Sequence, residues 1–450
     1  MRKASNVQKL SIAGFVIFCI TVVLGFSGHI SAKEGKPVKI GVIGPMKTII
    51  GEHAWTGASM AAEEINAAGG LNIKGVKHKI ELIKKEDNCM ASTIDAVNAM
   101  RRMLTIDKVD FAVGGWRSEA VLAQSDVAAE NKIIFIDTGG GDPGIIERVS
   151  KDYDRLKYIF RTQVNIRIFA QCVFVNSVQA IKYALKTELG ITKPKVALLI
   201  VKMLAGDAFS RAAKGLLPKM GMEVIGEWRP SPLATDLTAE LTAIKASGAH
   251  MIFLFLPGPA GVPFSRGYGE LQIPVAAGGV NGPGSTKKHW KTTGGMCNYE
   301  VSATPIGRAK ISSKTIPFYD RFVKRLNDYP MHTGTYTYDG MYVLKEGIER
   351  AGTIESDAVV DALEKTDYMG VMGRIVFFGK GHKAPHDYKP GPGYLTWVGN
   401  QWRDGKQVVI SPNGQIAFGD KRWIGVKYEG TVDCKLPPWM IKYWKKKLNR

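Results

Sequence analysis

The sequence predicts an α/β protein of two similar lobes, each a doubly wound parallel sheet. Three observations carry that expectation. From residue 38 to about 157, short β-branched runs alternate with helix-length stretches, the grammar of right-handed βαβ units. The same alternation begins again at 166 and runs to 256. The two series are joined by "KYIFRTQVN" (157–165), a short strand-like connector without a Gly/Ser-rich spacer, which suits a hinge and not a flexible tether. At 450 residues the chain is long enough for two cores.

In the first series the predicted strands are 38–44, 79–85, 110–115 and 132–137, and the helices 54–68, 91–104 and 118–130. The second has helices 166–188, 207–219 and 235–247 around strands 195–201, 222–228 and 250–256. Residues 296–304, "MCNYEVSAT", form a second strand-like crossing. Helices 316–327, 336–351 and 356–365 follow, leading to "MGRIVFFGKG". These assignments give one lobe of 38–157 with 305–370, and another of 158–304 with 371–434.

The ends read differently. Arg2, Lys3 and Lys9 precede an uncharged apolar run, 10–26, and small residues end at Ala32, the pattern of a secretory signal cleaved after about residue 32. The run is shorter than the ~20 residues of a membrane-spanning helix, and no later run reads as long enough. The expected mature protein is exported to the periplasm. Cys89, Cys172, Cys297 and Cys434 remain, none close to another in sequence, so a CxxC pair is excluded and one or two disulfides are permitted. Half of the net charge of +20 is local. From Met372 onward, 15 Lys/Arg face 5 Asp/Glu, while the two lobes are near balance. No nucleic-acid partner is expected, because the export signal occupies the place ahead of residue 38 where a DNA-binding helix-turn-helix would stand. The last stretch, 435–450, is a basic tail whose "WMIKYWKKKLNR" reads as an amphipathic end docked on the fold.

The opening "KIGVIGP" lacks both GxGxxG and the P-loop pattern, so no nucleotide cofactor is expected. In open α/β sheets, ligands bind beyond the carboxyl ends of the strands, where first-turn N–H groups are free. Two loops there stand out. After "FAVGG" come Trp116, Arg117 and Ser118, with Ser118 opening a helix. After "IIFID" comes Thr138 and then Gly139, Gly140 and Gly141, where main chain can approach a ligand unobstructed. A hydroxyl, a guanidinium and bare amides suit a carboxylate. An ordinary helix cap for Ser118 and a surface charge for Arg117 stay open.

The order "GASMAAEEINAAGGLNIKG", "KKEDNCMASTIDAVNAMRRML", "FAVGGWRSEAVLAQSDVAAENKIIFID" and "YIFRTQVN" resembles the periplasmic solute-binding proteins of branched-chain amino-acid ABC transporters. The likeness spans about 38–370. It implies a type I two-lobed fold with a three-strand hinge, a small-molecule ligand that closes the lobes, and docking of the monomer on membrane permease subunits. It also implies carboxylate binding by Ser118 and the backbone at 139–141. Second-lobe loops at 204–207, 257–259 and 278–281 would complete the site, bringing in Ala205, Asp207 and Asn281. The family pattern breaks there. No acid lies at 279–281 to meet an α-amino group, and Ala205 replaces an aromatic. Asp207 or Asp142 could supply the acid; otherwise a carboxylate without the amine fits better.

Elsewhere no GxSxG, HExxH or CxxC occurs, so the expectation is a binding protein with no metal, cofactor or catalytic residues. His382 and His386 have metal spacing only on a helix, which Gly381 and Pro385 oppose. Trp55 and Tyr336, Tyr338 and Tyr342 read as packing residues. The alternatives are a ligand-sensing receptor domain, a repressor core, which would need a helix-turn-helix ahead of residue 38, and an enzyme on the same fold.

Overall fold

Why 38–44 becomes a central strand is visible in its burial: "VKIGVIG" is covered on both faces, as a strand sandwiched by helices must be. A computed structural model describes residues 34–419 and 421–449, and the expected leader lies outside them. The first lobe is built from β1 (Val38–Gly44), α1 (Ile49–Ala67), β2 (Ile80–Glu86), α2 (Thr93–Thr105), β3 (Phe111–Gly114), α3 (Ser118–Glu130), β4 (Phe135–Asp137) and β5 (Ile159–Arg161). Its five strands run parallel in the order β2-β1-β3-β4-β5. Because Ile159–Arg161 pairs with β4, this lobe reaches Arg161, past the boundary expected at 157.

The second lobe follows a helix α4 (Ile166–Leu189), whose middle turn, Phe174–Val178, is a π-bulge. By length and composition α4 can cross a bilayer, contrary to the sequence reading. Two-thirds of its apolar window is buried in the protein, so it packs as a core helix. Then come β6 (Lys195–Ile200), α5 (Leu204–Leu216), β7 (Glu223–Trp228), α6 (Thr238–Ser247), β8 (Met251–Leu256), α7 (Gly261–Glu270), β9 (Ala276–Asn281) and β10 (Val301–Thr304). The segment 204–207 is thus the first turn of α5, and 278–281 the end of a strand, where loops were expected.

The chain then returns to the first lobe as α8 (Thr315–Leu326), α9 (His332–Ala351) and α10 (Ser356–Leu363). Helix α9 lies against α1 where two glycines meet: a Cβ on Gly57 would sit 2.1 Å from the Gly334 carbonyl oxygen. A hairpin, β11 (Asp367–Gly370) and β12 (Gly373–Val376), is pinned to α9 by Val371 N–H donating to Asp339 at 3.0 Å. Residues 371–390 therefore stay on the first lobe, although the sequence placed them in the second. Only β13 (Val398–Arg403) and β14 (Lys406–Ser411) join the second sheet, as an antiparallel pair. Its order is β14-β13-β10-β9-β8-β6-β7. The lobes are linked by three crossings: after Arg161, after Thr304 and before Val398.

The basic tail is docked. Helix α11 (Pro438–Lys447) is held by Trp439 and Trp444, whose indole N–H groups donate to the carbonyls of Ile273 (2.9 Å) and Pro274 (2.7 Å). All four cysteines among the described residues are buried thiols with no disulfide.

Candidate functional site

Because both sheets point their strand ends at the same gap, the loops following β1, β3, β4, β5, β8, β9 and β10 converge on one cavity of about 630 Å³ between the lobes. The first lobe contributes Ile49, Trp116, Gly141, Gln163 and His332; the second contributes Phe255, the 257–259 turn and 280–283. Trp397, just before β13, and Phe169 of α4 close the hinge side. No Asp, Glu, Lys or Arg side chain among the described residues lines the cavity.

One wall is aromatic. Trp116 lies 5.0 Å from His332 between ring centroids, His332 lies 6.4 Å from Tyr336, and Trp397 packs 4.6 Å from Phe169. The Trp397 indole donates to the Tyr336 hydroxyl at 2.8 Å. Burial, with His53 adding to it, pushes the His332 pKa down to about 4, so its imidazole is neutral at pH 7. The cavity also receives the amino end of α9, which has no side-chain cap, and that of α1. First-turn N–H groups and the helix dipole there favour an anion without any cationic side chain.

The lobes touch across the mouth. Lys287 N–H donates to Asp328 at 2.5 Å, Lys287 Nζ to Asn327 at 2.7 Å, and Gln407 N–H to the Tyr329 hydroxyl at 3.4 Å.

The sequence-predicted site residues divide. Trp116, Gly141 and Asn281 line the cavity. Asn281 is turned inward, donating to Glu300, Ser265 and the Gly261 carbonyl. Ser118 does not line the cavity: its hydroxyl accepts from Asp142 N–H at 3.1 Å. Arg117 donates to the carbonyls of Cys89 and Met90 and sits 3.5 Å from Glu119. The amides of Gly139 and Gly140 both donate to Asp137 Oδ1, at 3.0 and 2.7 Å, so the expected bare amides are taken. Ala205 packs against the core away from the cavity, and Asp207 is bound by Arg229 at 2.6 Å. Asp142 accepts from Gly144 N–H at 2.6 Å.

Sequence reasoning missed Gln163, His332, Phe169 and Trp397. Gln163 lay inside the connector already recognised as a hinge; Trp397, far along the tail, carried no local signal. Trp55 lies outside the cavity, under Lys84 at 5.3 Å. Tyr338 and Tyr342 donate to Glu64. His386 is buried, bonded to Glu364 and the Ile159 carbonyl. No cluster of metal-ligating side chains occurs among the described residues.

Comparison with known proteins gives a consistent picture. The periplasmic binding protein family model matches residues 37–391. An amino acid binding protein from Pseudomonas aeruginosa is 27% identical over 387 residues, covering 85% of this chain and 96% of its own. A branched-chain amino acid ABC transporter protein from Silicibacter pomeroyi superposes with a TM-score of 0.73 at 20% identity, over 90% of this chain and all of its own. A solute binding protein of an ABC transporter from Rhodopseudomonas palustris, in complex with 3,4-dihydroxybenzoic acid, does so with a TM-score of 0.64 at 19% identity, over 88% and 98%.

Proposed function

The chain belongs to the periplasmic binding protein family, and from that premise we propose that it is the extracytoplasmic solute receptor of an ABC importer, specific for a small aromatic or apolar carboxylate. The observation that carries the ligand class is the absence of any ionised side chain from the described cavity wall. An α-ammonium group enclosed there would lack a carboxylate partner, which is expensive. A carboxylate fares better, because the uncapped amino end of α9 and the first turn of α1 supply N–H donors and partial positive charge. A flat apolar body suits the wall of Trp116, Phe169 and Trp397. The Rhodopseudomonas palustris protein, with its dihydroxybenzoic acid, supports the same class.

Capture, not catalysis, fits the chemistry present. Ser265 and His289 are within 2.9 Å, but both are buried and neither lines the cavity. Contacts from both lobes to one ligand would favour the closed arrangement, and that form would deliver its cargo to permease subunits.

Isothermal calorimetry with benzoate, phenylacetate and L-leucine tests this reading. Binding of an acid with no heat from leucine is expected; the reverse overturns the ligand class. In the same assay Trp116→Ala should weaken benzoate by about tenfold or more through lost ring contact. Arg117→Ala should leave affinity within about twofold, because its guanidinium serves the carbonyls of Cys89 and Met90, and none of the three residues lines the cavity. A large loss for Arg117→Ala would place that side chain on the ligand.

A further inference from the structure

Three side-chain amides line the cavity: Asn281, Gln407 and Gln163. Two are committed to the protein. Asn281 makes the inward bonds described above, and Gln407 Nε2 donates to the Gly284 carbonyl at 2.7 Å. Gln163 is different. It is 91% buried, at 9% exposure; its Oε1 is sealed in without a hydrogen-bond partner, and its Nε2 donates to no described residue, leaving that face of the amide for a ligand. Its own backbone is fixed, since Gln163 N–H donates to the Asp137 carbonyl at 3.4 Å. Next to it, Val164 N–H bonds the Tyr336 hydroxyl, which also receives the Trp397 indole. The free amide is thus set beside the aromatic wall, on the first of the three crossings between lobes.

A buried amide without a partner is unfavourable and uncommon in folded proteins. It is uncharged, presents one acceptor and two donors, and is matched by a neutral hydroxyl or carbonyl. We infer that Gln163 is the specificity-determining residue of this cavity and reads a neutral hydrogen-bonding substituent, such as a ring hydroxyl, carried by the bound acid in addition to its carboxylate. The inference rests on the carboxylate reading proposed above. A site built to pair a hydroxyl discriminates strongly against the analogue lacking it, because its own polar group is then left unpaired. Gln163 would therefore add selectivity among acids that the apolar wall accepts equally.

Calorimetry on the full protein with benzoate and its 2-, 3- and 4-hydroxy derivatives tests this, using wild type, Gln163→Leu and Gln163→Met. The second variant guards against misfolding of the first, with thermal melts confirming the fold. At least one hydroxybenzoate should bind wild type about tenfold or more tighter than benzoate, and both variants should reduce that preference to within about threefold. Equal binding of all four acids by wild type overturns the inference, as does a preference that survives in the variants. Equal loss of every acid in the variants also overturns it, since Gln163 would then hold the carboxylate. In these three cases the receptor reading stands. If the folded wild type binds none of the acids, that reading fails instead.

Discussion

Replacing Arg161 with methionine is expected to destabilise the protein by about 3–5 kcal/mol, the cost of leaving a buried charge without its partner. Arg161 ends β5 and is fully buried. Its Nη2 donates to Asp387 Oδ2 at 2.6 Å and its Nε to Asp387 Oδ1 at 3.3 Å. Its Nη1 donates to the Asp142 carbonyl at 2.7 Å. Asn165 also donates to Asp387, at 3.2 Å. One guanidinium therefore ties the triple-glycine loop to the first crossing and to the segment leading into the third. Without it, Asp387 keeps only Asn165 and the Tyr388 amide. Asp387→Leu should cost a comparable amount by stranding Arg161. The double variant should be more stable than either single, because an apolar pair of similar volume strands neither of those charges. Chemical denaturation of the four proteins gives the coupling energy directly. Additive losses would mean that the pair contributes nothing as a pair. Asp137 refines the prediction. Burial raises its pKa to about 6, against the pull of Arg161. Removing the arginine lets it rise further, and a raised carboxyl loses stability as pH rises. The Arg161 variants should therefore fare worse at pH 8 than at pH 5.5.

The fold was legible because its signals are local. Each buried parallel strand is a short apolar run, and α3 was read at its observed limits. The errors have physical causes. "AAGGVN" has a single β-branched residue, Val280, among small ones, a weak strand signal, yet becomes β9 because its neighbours leave no room for larger side chains. A Cβ on Gly278 would lie 2.3 Å from Ile181 Cδ1, and Gly279 holds φ +144°. Helix α1 begins five residues earlier than read, where Thr48 caps Gly51 N–H. The site was less legible. "DTGGG" was read as free amides, but an aspartate two and three residues before glycines folds back onto their N–H groups, an Asx turn visible in the sequence itself. Arg161 and Asp387, 226 residues apart, share no local signal at all. Nor do Trp116, His332 and Trp397, which three separate elements bring to one wall.

Glu300→Gln should raise stability at pH 8.5 and flatten its dependence on pH. Glu300 precedes β10 and is 1% exposed. Its Oε2 accepts from Asn281 at 3.0 Å, Oε1 has no partner, and burial raises its pKa to about 8 against the bonds from Ser265 and Asn281. Nearby His289 does not neutralise it, because burial lowers that imidazole to about 4. The sign follows from proton linkage. Between the ordinary carboxyl value of 4.5 and about 8, the folded protein holds a proton that the unfolded chain has released. This contribution is fully present below that window. It declines by up to about 1.4 kcal/mol per pH unit as pH rises through it, and is lost above about 8. Glutamine keeps an acceptor for Asn281 and cannot ionise. The two proteins should therefore approach one another near pH 4.5 and diverge as pH rises, the variant melting higher. Asp339, raised by burial to about 7, and Asp137 add slope of the same sign to both proteins, so the difference between the curves isolates Glu300. A variant that melts lower than wild type at pH 8.5 would show that the carboxylate is ionised in the native fold and that its charge is needed there. Because Glu300 anchors Asn281, whose strand end forms part of the cavity, an unchanged benzoate affinity in the variant would separate the support of that wall from the charge beneath it.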